Sequence, residues 1–332
     1  MTALARPVSL CVACSLFLAT GISAAPATPS VNVTSSVIRN FIPGSPQRLF
    51  GKLEFLGGFE FTSSDRRVGG VSSIRFRPDG RQFVAVLDIG EWMTGAVTRD
   101  GDGQLAGLAD VTILPILGQD GAAGSKAEMD AEGLALWRDN VVVSFERRHR
   151  IDAFPDPGFG FGVPHTLDMV VPKRELRSNG GIETVAAAPE KGPLRGALVA
   201  VAERSIDADG NLFAAILDGP LKGIFKVAKH EPWAVTDGAF LPNGDLLLLE
   251  RRFSFTGGVG MRIRRISGDT IRSGALVDGE VLIEAAMDAE IDNMEGLDVV
   301  QYPEGDLRII IVSDDNTSFF QRNLMLEFKL VE

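Results

Sequence analysis

Short apolar runs separated by turn residues recur along this chain and form five similar units. Each unit has a polar anchor, an apolar strand, a turn rich in Pro, Asn and Gly, a second apolar strand, and a closing Asp or Glu. This pattern predicts antiparallel β-hairpins. The units are GVSSIRFRPDGRQFVAVLD (70–88), EGLALWRDNVVVSFE (132–146), ETVAAAPEKGPLRGALVAVAE (183–203), DGAFLPNGDLLLLE (237–250) and EGLDVVQYPEGDLRIIIVSD (295–314). Since the start and end of an antiparallel hairpin lie side by side, we expect each unit to present its carboxylates at one end.

The spacing of the units predicts an all-β propeller. The anchors are Ser72, Glu132, Glu183, Asp237 and Glu295. They are separated by 60, 51, 54 and 58 residues, a repeat length typical of propeller blades. Strand-like segments at 49–61 and 323–330 supply the remaining strands, so we predict five blades with the last closed by strands from both termini. A blade commonly needs only ~40–50 residues, which leaves a sixth, unmarked blade open.

The N-terminal segment has the features of a secretory signal. In residues 1–25, Arg6 is the only charged side chain, an apolar stretch follows it, and Ser23-Ala24-Ala25 offers a cleavage region. We expect residues 26–45 to form a linker or extended lead-in and residues 46–332 to form the propeller domain. Both cysteines of the chain precede the cleavage region. We therefore expect a periplasmic or secreted protein whose mature form has no thiol chemistry.

Composition excludes several functions. The formal net charge is −11 and the sequence pI is about 4.9, which argues against a nucleic-acid surface. The apolar run of the signal is short for a membrane span. The sequence contains no Gly-x-Ser-x-Gly motif, so a serine α/β-hydrolase is not expected. The three histidines lack the spacing of a zinc site. We expect His149 to be a solvated loop residue.

The motifs together resemble the bacterial exported phytase-like family, described as having the esterase-like activity of phytase. The similar stretches are Gly69-Gly70-Val71-Ser72, Asp130-Ala131-Glu132-Gly133-Leu134-Ala135, Asn179-Gly180-Gly181-Ile182-Glu183, Val235-Thr236-Asp237-Gly238-Ala239, Leu249-Glu250-Arg251-Arg252-Phe253-Ser254, Asn293-Met294-Glu295-Gly296-Leu297, Ser313-Asp314-Asp315-Asn316 and Gln321-Arg322-Asn323-Leu324. Two positions depart from the family pattern, Asp88-Ile89-Gly90-Glu91 and Thr317. The resemblance implies hydrolysis of phosphate or other esters, without assigning catalytic residues.

If so many carboxylates converge, their negative charge must be compensated, because like charges a few ångströms apart repel. Arginines or a metal ion can supply it. Calcium takes 6–8 oxygen ligands, so a Ca²⁺ ion on the axis is one interpretation and salt bridges between blades are the other. The candidate metal ligands are Glu132, Glu183, Asp237, Glu295, Asp314, Asp315 and Asn316.

The arginines near the hairpin ends indicate an anionic substrate. Arg148, Arg204, Arg252 and Arg322 are the candidate substrate-binding residues, and Glu295 and Glu183 the candidate general bases. Adjacent side chains of a strand point to opposite faces, so an Arg is not expected to pair with the acid just before it. The sequence favours a hydrolase for a small anionic ester. A non-catalytic ligand- or protein-binding propeller and a calcium-dependent lactonase remain the alternatives.

Overall fold

The computed structural model describes residues 2, 30–254, 257–302, 305–316 and 320–331. The first strands of the described residues are β1 (Thr34–Ile38), β2 (Leu49–Phe50) and β3 (Leu53–Thr62). Blade 1 contains β4 (Val71–Phe76), β5 (Gln82–Leu87), β6 (Glu91–Arg99) and β7 (Leu105–Pro115). Blade 2 contains β8 (Ala131–Trp137), β9 (Asn140–Phe145), β10 (Arg150–Pro155) and β11 (His165–Leu167). The predicted signal lies outside the described residues except for residue 2.

The second half of the chain continues the same arrangement. Blade 3 contains β12 (Ile182–Ala187), β13 (Leu198–Ile206), β14 (Leu212–Ile216) and β15 (Gly223–Val227). Blade 4 contains β16 (Ala234–Phe240), β17 (Leu246–Ser254) and β18 (Gly258–Ile266). The next strands are β19 (Leu276–Val277), which pairs in parallel with β15, and β20 (Glu280–Ala286), which completes blade 4. Blade 5 begins with β21 (Asn293–Gln301), β22 (Leu307–Asp314) and β23 (Asn323–Leu330). Two 3₁₀ helices cover Lys173–Glu175 and Gly268–Thr270.

Blade 5 closes the propeller with strands from both ends of the chain, as predicted. β23 pairs with β22 on one side and with β3 on the other, and β1 forms the outer edge. The segment expected to be a lead-in thus contributes a strand, and its Phe41 is buried in the core. The five-bladed propeller is confirmed, and the described residues form no sixth sheet.

The first strand of each blade faces the axis. β4 contacts β8, and the contacts continue through β12, β16 and β21 back to β4, so the five strands form a closed ring. The described chain has no helix long and apolar enough to cross a membrane.

The hydrophobic core is divided among the five interfaces between neighbouring blades. In β17, Leu246 and Leu248 pack toward blade 3, while Leu247 and Leu249 pack toward blade 5. Successive side chains of a strand point to opposite faces. A strand buried on both faces therefore needs the continuous apolar run seen in the sequence rather than a polar-apolar alternation.

Candidate functional site

Acidic side chains meet in a cavity of about 190 Å³ bounded by the ends of the innermost hairpins. We call this cavity the acidic chamber. Its carboxylates are Asp88, Asp130, Glu132, Glu146, Glu183, Glu203, Glu295 and Asp314. Its cationic side chains are Lys126, Arg147, Arg204 and Arg251, and its neutral polar ones are Ser72, Asn179 and Asn316. The lining therefore carries more formal negative than positive charge.

A shift in strand pairing aims four of the five anchors into this chamber. In blade 5, Met294 pairs with Ser313 and Gly296 with Val312, so Glu295 is left without a partner across the hairpin. The same shift leaves Ser72, Glu132, Glu183 and Thr236 unpaired in the other blades. Such an extra residue bends its strand and redirects a side chain. Four of these five equivalent anchors, all except Thr236, line the chamber.

Blade 4 departs from the others by one residue. Its unpaired anchor is Thr236, not Asp237, and Arg251 stands opposite Ala234. In the other blades the position equivalent to Arg251 holds Asp88, Glu146, Glu203 or Asp314. Since a shift of one residue moves a side chain to the other face, Glu250 points away from the chamber and binds Arg262 and Arg264. Blade 4 thus contributes a cation where its neighbours contribute acids.

The structure places Asp237 outside the acidic chamber, in a buried ion pair on the axis. Its two carboxylate oxygens accept hydrogen bonds from the Arg75 guanidinium, each at 2.9 Å. Arg75 also donates to the backbone carbonyls of Val185, Gly238 and Leu297. This arginine therefore ties blade 1 to blades 3, 4 and 5. A buried carboxylate whose charge is paired with an arginine in this way fits a structural role for Asp237.

Two overlapping groups of three carboxylates form the acidic centre of the chamber. One comprises Asp130, Glu132 and Glu146, and the other Glu146, Glu183 and Glu203. In each group, one oxygen from every member lies within 4.8 Å of the others. Glu146 belongs to both and is oriented by the backbone N–H groups of Gly180 and Gly181.

The environment of these acids disfavours their ionised forms. Burial, and then the neighbouring carboxylates, raise the pKa of Glu132 and of Glu183 well above the ordinary value. The neighbours that act on these two carboxyl groups are other carboxylates, whereas Glu203 also lies 3.1 Å from Arg204. Carboxylate oxygens clustered in this way fit a hard cation such as Ca²⁺, whose charge would favour their ionised forms.

Cations compensate part of this charge. Arg147 binds Asp130 at 2.6 Å and Lys126 binds Asp88 at 2.6 Å. Arg251 lies 2.5 Å from Glu295 and 3.6 Å from Glu203, acids of the two neighbouring blades. Salt bridges between blades and the acidic groups therefore coexist in one chamber.

Glu295 lies at the arginine side of the chamber. Its Oε1 accepts hydrogen bonds from Arg251 and from the side-chain amide of Asn293 at 2.7 Å. Burial raises the pKa of Glu295 to about 7, although Arg251 opposes the shift. The Glu295 carboxylate thus differs from the two three-carboxylate groups in its hydrogen-bond partners and in its place in the chamber.

The other predicted oxygen ligands divide between the chamber and its border. Asp314 lines the chamber, and burial raises its pKa to about 6. Asn316 also lines it and donates its amide to Gln321 at 3.1 Å. Asp315 instead accepts a hydrogen bond from Asn323 at 2.7 Å, next to Gly69.

The four predicted substrate-binding arginines occupy four different settings. Arg204 lines the chamber, whereas Arg252 lies over the Trp233 ring in an adjoining groove. Arg148 faces a separate groove and binds Glu128 at 2.7 Å. Arg322 binds Glu290 at 2.7 Å, away from the chamber.

Two local expectations were wrong. Arg204 lies 3.1 Å from the acid just before it, Glu203, because the pairing of β13 with β14 loses its regular register between Val201 and Ile206. His149 is not solvated but 8% exposed. Its ring packs on Gly181, where an added Cβ would lie 2.6 Å from the imidazole.

The candidate set drawn from the sequence omitted several chamber residues. Asp130 stands two residues before an anchor, and positions two apart in a strand share a face, so this signal was available. Glu146 and Glu203 were recognised as closing acids but not as candidate metal ligands. Arg251 becomes visible only when blade 4 is aligned by strand pairing instead of by its Asp-Gly pair.

Several solved structures are similar to this chain at low sequence identity. No curated protein matches the sequence. The endo-arabinase of Bacteroides thetaiotaomicron VPI-5482 is similar in structure, with a TM-score of 0.50 and 12% identity over 80% of this chain and 95% of that one. A PQQ-bound aldose sugar dehydrogenase of Streptomyces coelicolor has a TM-score of 0.41 and 13% identity, covering 91% of this chain and 99% of that one.

The family is shown by the sequence itself. Residues 66–317 match the phytase-like family, described as "Esterase-like activity of phytase". This match spans all five hairpins and every candidate residue except Arg322. The chain therefore belongs to the phytase-like family.

Proposed function

We propose that the mature protein is an exported hydrolase that cleaves a phosphate or carboxylic ester at a calcium ion held in the acidic chamber. The observation that carries the proposal is the pair of three-carboxylate groups sharing Glu146. Family membership supports an esterase-like activity. The apolar, weakly charged character of residues 1–25 supports export.

The calcium ligands in this proposal are Asp130, Glu132, Glu146, Glu183 and Glu203. All offer carboxylate oxygens, the donors that calcium prefers. Glu146 is the common member, and two backbone N–H groups fix its orientation. A bound calcium ion would polarise the ester oxygen and position water. Asp314 and Asn316, which line the same chamber, are candidates for additional oxygen ligands.

Glu295 is the proposed general base. It lines the chamber without belonging to either three-carboxylate group. Asn293 and Arg251 hold its carboxylate in place, which is the positioning a proton acceptor requires. Glu183, the other base suggested by the sequence, lies within a candidate ligand group and is assigned to the metal.

Arg204 and Arg251 are the proposed anion-binding residues of the chamber. Both line it on the side of Glu295 and Glu203. Planar guanidinium groups can hold a carboxylate or phosphate through two hydrogen bonds. This arrangement favours a small anionic ester over a neutral lactone.

The test separates metal binding from catalysis with two variants and one control. Glu183→Gln should weaken calcium binding at least about tenfold, because ligand charge tunes calcium affinity. Glu295→Gln should leave calcium affinity nearly unchanged and lower kcat about 10²-fold or more, the usual contribution of a general base. The exposed Glu284 supplies the control, Glu284→Gln, which should change neither quantity.

Calorimetric titration with calcium and steady-state hydrolysis measure these effects. If Glu183→Gln binds calcium as tightly as the unmodified protein, the ligand assignment is wrong. If calcium binds but no ester is cleaved, the non-catalytic binding propeller becomes the better description. Cleavage confined to cyclic esters would instead favour the lactonase.

A further inference from the structure

A groove of about 820 Å³ opens beside the acidic chamber. Arg204 and Arg251 line both spaces, so the groove continues from the side of the chamber where the anion is proposed to bind. Its walls come from blades 3 and 4, from the start of β21 and from the segment that precedes β23. A molecule whose reacting ester occupies the chamber would extend its remaining part into this groove.

The groove offers two cations that form no ion pair with a described acid. Arg177 and Arg252 line it, and neither forms an ion pair with another described residue. Among the described lining residues Glu231 is the single acid, and it is bound to Lys229. The groove therefore carries positive charge next to a chamber of negative charge.

Arg252 is held in place for binding. Its guanidinium lies 5.3 Å from the centre of the Trp233 ring, a cation–π arrangement. On its other side it passes over Gly260, where an added Cβ would lie 2.9 Å from the guanidinium carbon. A cation fixed in this way loses little conformational freedom when it binds an anion.

Two exposed aromatic side chains line the same groove. Phe253 is 66% exposed and Phe320 is 96% exposed. Exposed large apolar side chains that cluster at a concave site commonly mark a binding surface. Phenyl rings favour stacked or edge-on contacts with another ring.

We propose that this groove binds the uncleaved part of the substrate, and that this part contains an aromatic ring bearing its own negative charge. Arg252 and Arg177 bind the anionic group, and Phe253 and Phe320 contact the ring. The assignment of this ligand as part of the substrate rests on the proposed function. A compact polyanion without an apolar portion would make no ring contact with Phe253 or Phe320.

Binding to the groove is tested without turnover. Benzene-1,4-dicarboxylate is titrated into protein kept in chelator, and cyclohexane-1,4-dicarboxylate is titrated in parallel. The aromatic dianion should bind more tightly. Arg252→Gln should weaken its binding about tenfold, since one hydrogen-bonded charge pair commonly accounts for such a factor. Phe253→Ala should weaken the aromatic ligand several-fold and the saturated ligand little.

Arg272→Gln is the matched control, because Arg272 is exposed and lines neither the groove nor the chamber. It should bind both ligands like the unmodified protein. Equal affinities in all variants, or no binding of the aromatic dianion at millimolar concentration, would overturn the groove proposal whatever the activity. Groove binding without any ester hydrolysis would contradict the proposed function alone.

Discussion

A single residue distinguishes blade 4 from its neighbours. Thr236 takes the anchor position and Arg251 the closing position, while Asp237 turns to the axis and binds Arg75. The same Asp-Gly pair that marks the repeat in the sequence therefore serves a different purpose here. Chamber chemistry and axial stability depend on side chains one position apart.

Asp237→Asn should lower the free energy of unfolding by about 3 to 5 kcal/mol, because Arg75 would remain buried without its charge partner. Denaturant unfolding in chelator measures this effect. Glu132→Gln is the contrasting variant: it removes a repelling charge from the chamber and should leave stability equal or higher. Normal stability with weakened calcium binding in Asp237→Asn would instead make Asp237 a metal ligand.

Asp298 predicts a pH-dependent stability. Burial raises its pKa to about 6 from an ordinary 3.8, against the opposing effect of Arg75. A group with a raised folded-state pKa contributes stability that is fully present below the unfolded pKa and lost as pH rises through the folded pKa. The loss should therefore occur between about pH 4 and pH 6.

Asp298→Asn should remove this loss. Its amide oxygen can still accept the hydrogen bond that Asp298 accepts from the Phe76 N–H. The free energy of unfolding of the variant, minus that of the unmodified protein, should be about 2 to 3 kcal/mol larger at pH 8 than at pH 4. Denaturant unfolding across this range measures the gain, and a difference that does not vary with pH would refute the assignment.

At the scale of the element, the innermost strands approach one another closely around the axis. The glycine that follows an anchor permits this approach. An added Cβ at Gly133 would lie 2.4 Å from the backbone oxygen of Glu183 and 2.8 Å from the backbone nitrogen of Val185. The recurrent Glu-Gly pair thus combines a chamber carboxylate with the absence of a side chain where blades meet.

Gly133→Ala should destabilise the protein by several kcal/mol, because backbone atoms of the next blade cannot move aside independently. Gly101→Ala is the control: its added Cβ would meet nothing within 4 Å. Thermal unfolding of both variants compares the two sites. Similar midpoints for the two would show that the strands can separate without cost.

The elements were largely predictable, whereas the site was only partly so. Hairpin pattern and repeat spacing are local properties, and they predicted five blades and closure by the two termini. The role of Arg75 was not predictable, since its partners are backbone carbonyls of three other blades. The register of blade 4 was misread because its Asp-Gly pair imitates the Glu-Gly pairs elsewhere.

At the scale of the molecule, the propeller gathers charges that are distant in sequence. The first two strands of each blade bring acids from blades 1, 2, 3 and 5 to one chamber, and Arg251 of blade 4 completes the ring. A groove lined by Arg177 and Arg252, neither of which forms an ion pair with another described residue, adjoins this chamber. The arrangement suits a ligand with negative charge and a metal ion that shares it.

The most direct test is hydrolysis by the purified mature protein of a phosphate monoester, a carboxylic ester and a lactone, first with calcium and then with chelator. We predict turnover of one of the two open-chain ester classes, its loss in chelator, and its return when calcium is restored. Turnover that is indifferent to chelator would contradict the calcium chamber. Absence of turnover in folded, calcium-bound protein would contradict the assignment as a hydrolase.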